Sequence, residues 1–93
     1  MPTVLIIDDE PMNLLALDAI LSNIGIRADQ MNSGVKAVAH IHQLVKNGQP
    51  LYKVILCDFS MPQLDGPQTA IQIHKICKGA DIDCPFIACV TAY

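Results

Sequence analysis

Three stretches of the chain are almost uninterrupted runs of apolar residues. They cover residues 4–7, 54–57 and 85–90. Short apolar runs without polar alternation are typical of strands that are buried on both faces of a parallel sheet. A fourth stretch, residues 26–31, is less apolar and predicts an edge strand. Its polar positions are Arg27, Asp29 and Gln30.

Segments with helical character separate these predicted strands. The first begins at Pro11, which suits the first position of a helix because its missing N–H is not needed there, and ends near Ile24. Two more helices are predicted over residues 35–46 and from Gly66 to about residue 78. Because strands and helices alternate, the sequence predicts an α/β domain with a parallel sheet and helices on both faces.

The first predicted helix has more apolar positions than one buried stripe requires. Its core face is predicted to consist of Ala16, Leu17, Ile20 and Ile24. Two leucines fall on a flank beside polar residues, and this flank comprises Leu14, Asp18, Leu21 and Ser22. Two interpretations are open: one wide buried face, or a surface on which a partner protein docks.

Length and composition narrow the class of protein. The chain has 93 residues, of which 52% are apolar, and this suits one small domain. A net charge of −3 without a basic cluster argues against nucleic acid as a partner. No apolar stretch is long enough to cross a bilayer, and no leader precedes the first strand. We therefore expect a cytoplasmic protein that does not bind membranes.

The cysteines and histidines do not show the spacing of a metal site. Two of the four cysteines fall in predicted buried strands, and we expect all four to be reduced and structural. These residues are Cys57, Cys77, Cys84 and Cys89. His40 and His42 are two residues apart and point to different sides of a helix, so we expect both to be exposed to solvent.

Polar side chains follow three of the predicted strands directly. Asp8 and Asp9 follow the first, Asp58 follows the run 54–57, and Thr91 follows the last. Ligands bind outside the carboxyl ends of parallel strands, so these residues are expected at one site. Clustered carboxylates favour a bound cation, and Mg²⁺ prefers oxygen ligands. Asp58 is the candidate nucleophile for a phosphoryl group, although hydrolysis of phosphate esters is also consistent with such a site.

Three stretches together resemble the receiver domain of two-component response regulators. They are residues 6–11, 56–66 and 90–92, and the second contains the specific pattern Asp-x-x-Met-Pro-x-x-Asp-Gly. The resemblance covers the whole chain in order and spacing. It implies a flavodoxin-like, doubly wound parallel sheet with strand order 2-1-3-4, lacking the last strand and flanking helices of the family.

The resemblance also implies a role for each matched residue. Asp58 corresponds to the phospho-accepting aspartate, while Asp8 and Asp9 correspond to the acidic pair that holds Mg²⁺ together with Asp58. Ser60 corresponds to the residue whose backbone carbonyl completes the metal site, and Thr91 to the switch hydroxyl. The implied partner is a histidine kinase or a histidine phosphotransfer protein, which would dock on the flank defined above.

The chain departs from the family after Thr91. The family continues with a helix, a fifth strand and a final helix, which carry a lysine that pairs with the phosphoryl group and an aromatic switch residue. We therefore interpret residues 1–93 as a single receiver domain that is incomplete at its C-terminus. Three explanations are open: a fragment of a longer receiver, a natural truncation, or a domain whose missing surface a partner chain supplies. The fourth strand would then be an unpaired edge, so we expect a homodimer through the surface left exposed.

Three functions are consistent with this sequence. The first is a phospho-accepting receiver that catalyses its own phosphorylation and dephosphorylation and is not an enzyme toward separate substrates. The second is a degenerate receiver that binds partners without being phosphorylated, because the family lysine is missing. The third, a Mg²⁺-dependent aspartyl phosphatase, is disfavoured because such enzymes need an acid–base aspartate where this chain has Ser60.

Overall fold

Strands and helices alternate along the chain in the computed structural model, which describes residues 2–90. The strands are β1 (Val4–Ile7), β2 (Ala28–Met31), β3 (Val54–Asp58) and β4 (Phe86–Val90). The helices are α1 (Pro11–Asn23), α2 (Gly34–Lys46) and α3 (Gly66–Gly79). Thr91, the predicted switch residue, lies outside the described residues.

The four strands form one parallel sheet in the order β2-β1-β3-β4. Ile7 of β1 pairs with Cys57 of β3, and Asp58 pairs with Val90 of β4. Helices flank this sheet on both faces, so the predicted flavodoxin-like fold class is confirmed. The crossover connections place β1 and β3, the two strands that end next to aspartates, side by side at the centre of the sheet.

The central strands contribute side chains to a separate hydrophobic cluster on each face of the sheet. Leu5, Ile7 and Ile55 are fully buried in the cluster that includes residues of α2 and α3. Val4 and Ile6 belong to the other cluster, beneath α1. Since both faces of these strands are covered, the positions before the aspartates at their carboxyl ends are apolar, which explains the uninterrupted apolar runs.

The face of α1 that meets the sheet differs from the predicted one. Leu14 is buried, and Leu17 and Leu21 pack beside it at the spacing of one helical stripe. The residues that were predicted in the core but are exposed are Ala16, Ile20 and Ile24. The prediction was wrong because α1 carries apolar residues on all of its sides, so the sequence pattern does not distinguish the buried face from the others.

Each helix ends in the same type of turn, which reverses the chain through one left-handed residue. Gly25 (φ 78°) and Gly48 (φ 66°) serve α1 and α2 at little conformational cost, whereas Asp81 (φ 56°) occupies the corresponding position after α3. There, the Ile82 N–H donates to the Cys77 carbonyl at 3.0 Å. This turn determines how the chain leaves α3 and approaches β4.

Side-chain hydrogen bonds tie the edge strand β2 to α2 through Tyr52. The Tyr52 hydroxyl donates to Oδ2 of Asp29 at 2.6 Å, and Nε2 of His40 lies 2.9 Å from that hydroxyl. Burial of the Tyr52 hydroxyl raises its pKa, and the hydrogen bond to Asp29 raises it further. His40 is therefore half-buried and partnered, so the predicted exposure of both histidines is wrong for His40 and is confirmed for His42.

On the face of the sheet that α1 packs against, the side chains of β1 are covered, whereas those of β4 are more exposed to solvent. Phe86 and Val90 of β4 are 70% and 47% exposed, and Ile20 and Ile24 of α1 are 59% and 66% exposed. Among residues 2–90, no strand pairs with the outer edge of β4. No helix in the same range is long and apolar enough to span a membrane, and the cytoplasmic location stays a prediction.

Truncating Leu14 and Ile20 tests which face of α1 is buried. Leu14→Ala is expected to lower the free energy of unfolding by about 2–4 kcal/mol, because it leaves a cavity under the helix. Ile20→Ala is a similar truncation on the same helix, but at an exposed position, and is expected to cost less than about 1 kcal/mol. Urea denaturation of both variants measures the difference, and equal losses would contradict the assigned face.

Candidate functional site

Two neighbouring strand ends bring three acidic side chains together. Asp8 follows β1 directly, and Asp58 is the last residue of β3. Because Ile7 and Cys57 are paired in the sheet, these two aspartates leave adjacent strands side by side. Asp9 is the next residue in the chain. One carboxylate oxygen from each of the three residues lies within 4.8 Å of the other two.

Asp8 is the most buried of the three aspartates. It is 6% exposed, and its N–H donates to the Met31 carbonyl at the end of β2 at 3.1 Å. Its Oδ1 accepts a hydrogen bond from the Glu10 N–H at 2.9 Å. Glu10 in turn caps α1, where its side chain accepts from the Met12 N–H at 3.4 Å. The turn from β1 into α1 therefore fixes the orientation of the Asp8 carboxylate.

The electrostatics of the cluster favour a bound cation. Burial raises the pKa of the Asp58 carboxyl, the Asp8 carboxylate raises it further, and a hydrogen bond from the Ser60 backbone N–H acts in the opposite direction. The Asp9 carboxylate also raises this pKa. Within the described part of the chain, no lysine or arginine lines the cavity beside the site. A set of carboxylate oxygens without a protein cation fits a hard divalent ion such as Mg²⁺.

Backbone contacts hold the loop that follows Asp58 against the sheet. The Phe59 N–H donates to the Val90 carbonyl at 2.8 Å, and the Gly66 N–H donates to the Phe59 carbonyl at 2.9 Å. A side chain at position 66 has no room, because its Cβ would lie 2.5 Å from the Asp58 carbonyl oxygen. Met61 is buried in the cluster beneath α2 and α3 and anchors the loop in the core.

Asp65 caps α3 and is not one of the three clustered aspartates. Its carboxylate accepts from the Gln68 N–H at 2.9 Å, and the Gln68 side chain accepts from the Asp65 N–H at 3.0 Å. This reciprocal pair is a capping box, which satisfies two backbone donors at the start of the helix. It fixes the point where the loop after Asp58 becomes a helix.

The structure brings three of the predicted site residues together and leaves the role of the others as predictions. Asp8, Asp9 and Asp58 form the cluster. Ser60 is exposed, and its backbone lowers the pKa of the Asp58 carboxyl. Its predicted role as a carbonyl ligand stays a prediction. The role of Thr91 also stays a prediction, because Thr91 lies outside the described residues.

The predicted docking flank does not form a continuous exposed surface. Leu14 is buried, so it is wrong as a docking residue. Leu21 is half-buried against the sheet, and its docking role stays a prediction. Asp18 is half-buried and Ser22 is exposed. The physical reason is that the stripe of α1 that contains Leu14 and Leu21 is the one that covers β1.

A cavity of about 260 Å³ beside the acidic cluster involves a residue that sequence analysis missed. Asn13 lines it together with Asp8 and Asp58, and its remaining walls are mainly apolar. The sequence feature that could have identified Asn13 is its position three residues after the cap residue Glu10, in the first turn of a helix that starts at the site. Its amide is a polar group placed beside the carboxylates.

A family model described as the response regulator receiver domain matches residues 4–92. The chain belongs to this family. The receiver is 31% identical over 74 residues to the signal transduction histidine-protein kinase BarA of Escherichia coli K12, a match that covers 80% of this chain and 7% of that protein. It is 32% identical over 73 residues to the two-component response regulator ARR22 of Arabidopsis thaliana, covering 78% of this chain and 49% of that protein. The receiver thus spans less than half the length of these relatives.

Solved receiver structures have the same fold. The receiver domain of the histidine kinase CKI1 from Arabidopsis thaliana, complexed with Mg²⁺, superposes with a TM-score of 0.86 at 24% identity, covering 99% of this chain and 68% of that one. The response regulator TrrA from Thermotoga maritima, in complex with Mg²⁺ and a beryllium fluoride, superposes with a TM-score of 0.76 at 28% identity. This match covers 100% of this chain and 71% of that one. The predicted identity as a receiver of two-component signalling is confirmed.

Two glycine-to-alanine substitutions test how tightly the loop packs against Asp58. Gly66→Ala is expected to lower the free energy of unfolding by about 1–3 kcal/mol, since the added methyl group meets the backbone of Asp58. Gly79→Ala places the same group in open space near the end of α3 and is expected to be neutral or stabilising by up to about 1 kcal/mol. Urea denaturation compares the two, and a neutral Gly66→Ala variant would contradict the close approach.

Proposed function

We propose that this receiver accepts a phosphoryl group on Asp58 from the phosphohistidine of a histidine kinase or a histidine phosphotransfer protein. The observation that carries the proposal is the convergence of Asp8, Asp9 and Asp58 within 4.8 Å at the carboxyl ends of β1 and β3. BarA, with which the receiver shares 31% identity, is a histidine-protein kinase. This relationship supports a phosphohistidine as the donor.

The transfer is a displacement at phosphorus by the Asp58 carboxylate. One carboxylate oxygen forms the new P–O bond as the P–N bond of the donor breaks, and the bonding electron pair returns to the imidazole nitrogen, which gains a proton. The contacts of Gly66 and Phe59 hold the backbone next to the nucleophile. The carboxylate is therefore presented in a defined position, which reduces the entropic cost of reaching the transition state.

We also propose that Asp8, Asp9 and Asp58 hold Mg²⁺, with the Ser60 backbone carbonyl as a further protein ligand. When bound, Mg²⁺ neutralises charge on the carboxylates and on the transferring phosphoryl group. The Asp8 contacts to Met31 and Glu10 keep its carboxylate oriented toward the cluster before any ion binds. The complex of TrrA with Mg²⁺ supports this proposal by similarity. Thr91 is proposed to bond the phosphoryl group through its hydroxyl.

The same residues argue against turnover of separate phosphate esters. A phosphatase with an aspartyl nucleophile requires an acid–base carboxylate two residues after it, and this chain has Ser60 at that position. The acidic side chain that follows in the loop, Asp65, is engaged in capping α3. We therefore propose that the receiver catalyses only its own phosphorylation and dephosphorylation.

Incubation with acetyl phosphate and Mg²⁺ tests the proposed acceptor. The wild-type chain is expected to gain the mass of one phosphoryl group, because the Asp58 carboxylate forms an acyl phosphate. Chelation of Mg²⁺ should abolish the gain, and Asp58→Asn should not show it under any condition. Intact mass spectrometry measures the adduct.

Asp83→Asn is the matched control for charge. Asp83 is an exposed aspartate that precedes β4, at the opposite end of the sheet from the acidic cluster. This variant should be phosphorylated like the wild type. An adduct that persists in Asp58→Asn would contradict the acceptor, a chain that never gains the adduct would indicate a degenerate receiver, and steady release of phosphate from esters would indicate a phosphatase.

We further propose that two copies of this chain associate through the exposed face near β4. The strand presents an unpaired outer edge within the described residues, and its five residues include no charge or proline to discourage pairing. Exposed Phe86 and Val90 adjoin this edge. Light scattering of the 93-residue chain should give twice the chain mass, and a mass equal to one chain would contradict the dimer.

A further inference from the structure

Cys77 and Cys84 both belong to the hydrophobic layer near the end of α3, at the opposite end of the sheet from the acidic cluster. Cys77 is on α3 and is 1% exposed. Cys84 precedes β4, is half-buried, and packs against the hydrophobic cluster that contains Cys77. The Cys77 thiol is near enough to Cys84 to raise the pKa of the Cys84 thiol. Both thiols are free.

The turn after α3 produces this contact. Asp81 adopts a left-handed conformation, and the Ile82 N–H returns to the carbonyl of Cys77 itself at 3.0 Å. The chain therefore folds back over the last turn of α3, and Cys84 follows two residues later. Since the same hydrogen bond fixes the backbone of Cys77 and the start of the returning segment, the contact between the two thiols is built into the local fold.

The two thiols differ in their access to solvent. Cys84 lines an open cavity of about 530 Å³ near Tyr52 and Pro85. Cys77 does not line this cavity and is buried in the core. A small polar oxidant therefore has access to Cys84 from solvent, whereas the buried Cys77 is shielded from solvent in the folded chain.

We propose that Cys77 and Cys84 form a site of reversible oxidation, at which a hydroperoxide such as hydrogen peroxide converts the two thiols into an intramolecular disulfide. The Cys84 thiolate first attacks one peroxide oxygen. An S–O bond forms, the O–O bond breaks, and the leaving hydroxide takes up a proton as water. The product is a sulfenic acid on Cys84, whose sulfur has lost two electrons to the peroxide.

The second step closes the disulfide. The sulfur of Cys77 attacks the sulfur of Cys84, an S–S bond forms, and the S–O bond breaks. The leaving hydroxide combines with the proton of the Cys77 thiol and departs as a second water. Overall, two thiols and one hydrogen peroxide give one disulfide and two waters. A dithiol reductant reverses the change by thiol–disulfide exchange.

The environment of Cys84 makes this reaction slow. Burial, followed by the adjacent Cys77, raises the pKa of the Cys84 thiol to about 12. Little thiolate is present at neutral pH, and the thiolate is the reactive form. The pair is therefore expected to respond to sustained exposure to peroxide and to resist a brief exposure.

The remaining two cysteines provide an internal comparison. Cys57 and Cys89 are paired residues on β3 and β4. Neighbouring strands are about 4.8 Å apart, and their side chains stand perpendicular to the sheet. This spacing is larger than the usual distance between the two Cβ atoms of a disulfide. The Cys57 thiol also donates to the Asp58 carbonyl at 3.6 Å. The sheet would have to distort to join this pair, whereas Cys84 lies outside any strand or helix.

Peptide mapping after oxidation tests the proposal. The purified chain is incubated with hydrogen peroxide, unfolded, alkylated and digested with trypsin, which separates Cys77 (residues 76–78), Cys57 (residues 54–75) and Cys84 with Cys89 (residues 79–93). The expected product joins residues 76–78 to residues 79–93 within one chain. A dithiol reductant should remove it, and the oxidised chain should melt at least about 5 °C higher, because the bond closes a loop.

Two serine variants assign the bond within the last peptide. Cys84→Ser should abolish the joined product, and Cys89→Ser should retain it; circular dichroism establishes that both variants are folded. Recovery of both alkylated thiols in the wild type after prolonged exposure would overturn the proposal. A bond from residues 54–75, a bond between two chains, or irreversible oxidation of Cys84 without a disulfide would overturn it as well.

Discussion

The pairing of β1 with β3 is the constraint on which the rest of this receiver depends. Residues 4–7 are buried on both faces of the sheet, and Asp8 follows them immediately. A shift of one residue in this pairing would either draw a carboxylate into the apolar layer or expose Ile7, and both changes are costly. The packing of aliphatic side chains thereby determines where Asp8 and Asp58 emerge. The hydrophobic core thus positions the charged groups of the candidate site.

This arrangement places like charges where they repel one another. Burial and the carboxylates of Asp8 and Asp9 all disfavour the ionised form of Asp58. Such a cluster lowers the stability of the fold, and proteins retain features of this kind mainly where function needs them. The proposed Mg²⁺ would relieve this repulsion, and the proposed acceptance of a phosphoryl group on Asp58 would give the cluster its purpose.

Features that depend on local chain order were predictable from the sequence. The strand ends at Asp8 and Asp58, the helix start at Pro11 and the parallel sheet all follow from apolar runs and the residues that bound them. The buried face of α1 was not predictable, because Leu14 and Ile20 are equally apolar and only the packed sheet distinguishes them. The bond between His40 and Tyr52 was missed for a different reason: it joins residues twelve positions apart, and no periodic pattern encodes such a contact. The same holds for Gly66, whose lack of a side chain matters only because the backbone of Asp58 returns beside it.

The burial of Met61 has a consequence for how the receiver can respond to events at Asp58. The Met61 side chain packs in the hydrophobic layer beneath α2 and α3 and holds the loop after β3 against it. Interiors packed to crystal-like density do not deform gradually, so the loop cannot drift by an ångström without opening a void around the methionine. The position of the loop and the packing of the helical layer are therefore coupled. A displacement of the loop after β3 therefore requires the side chains around Met61 to repack.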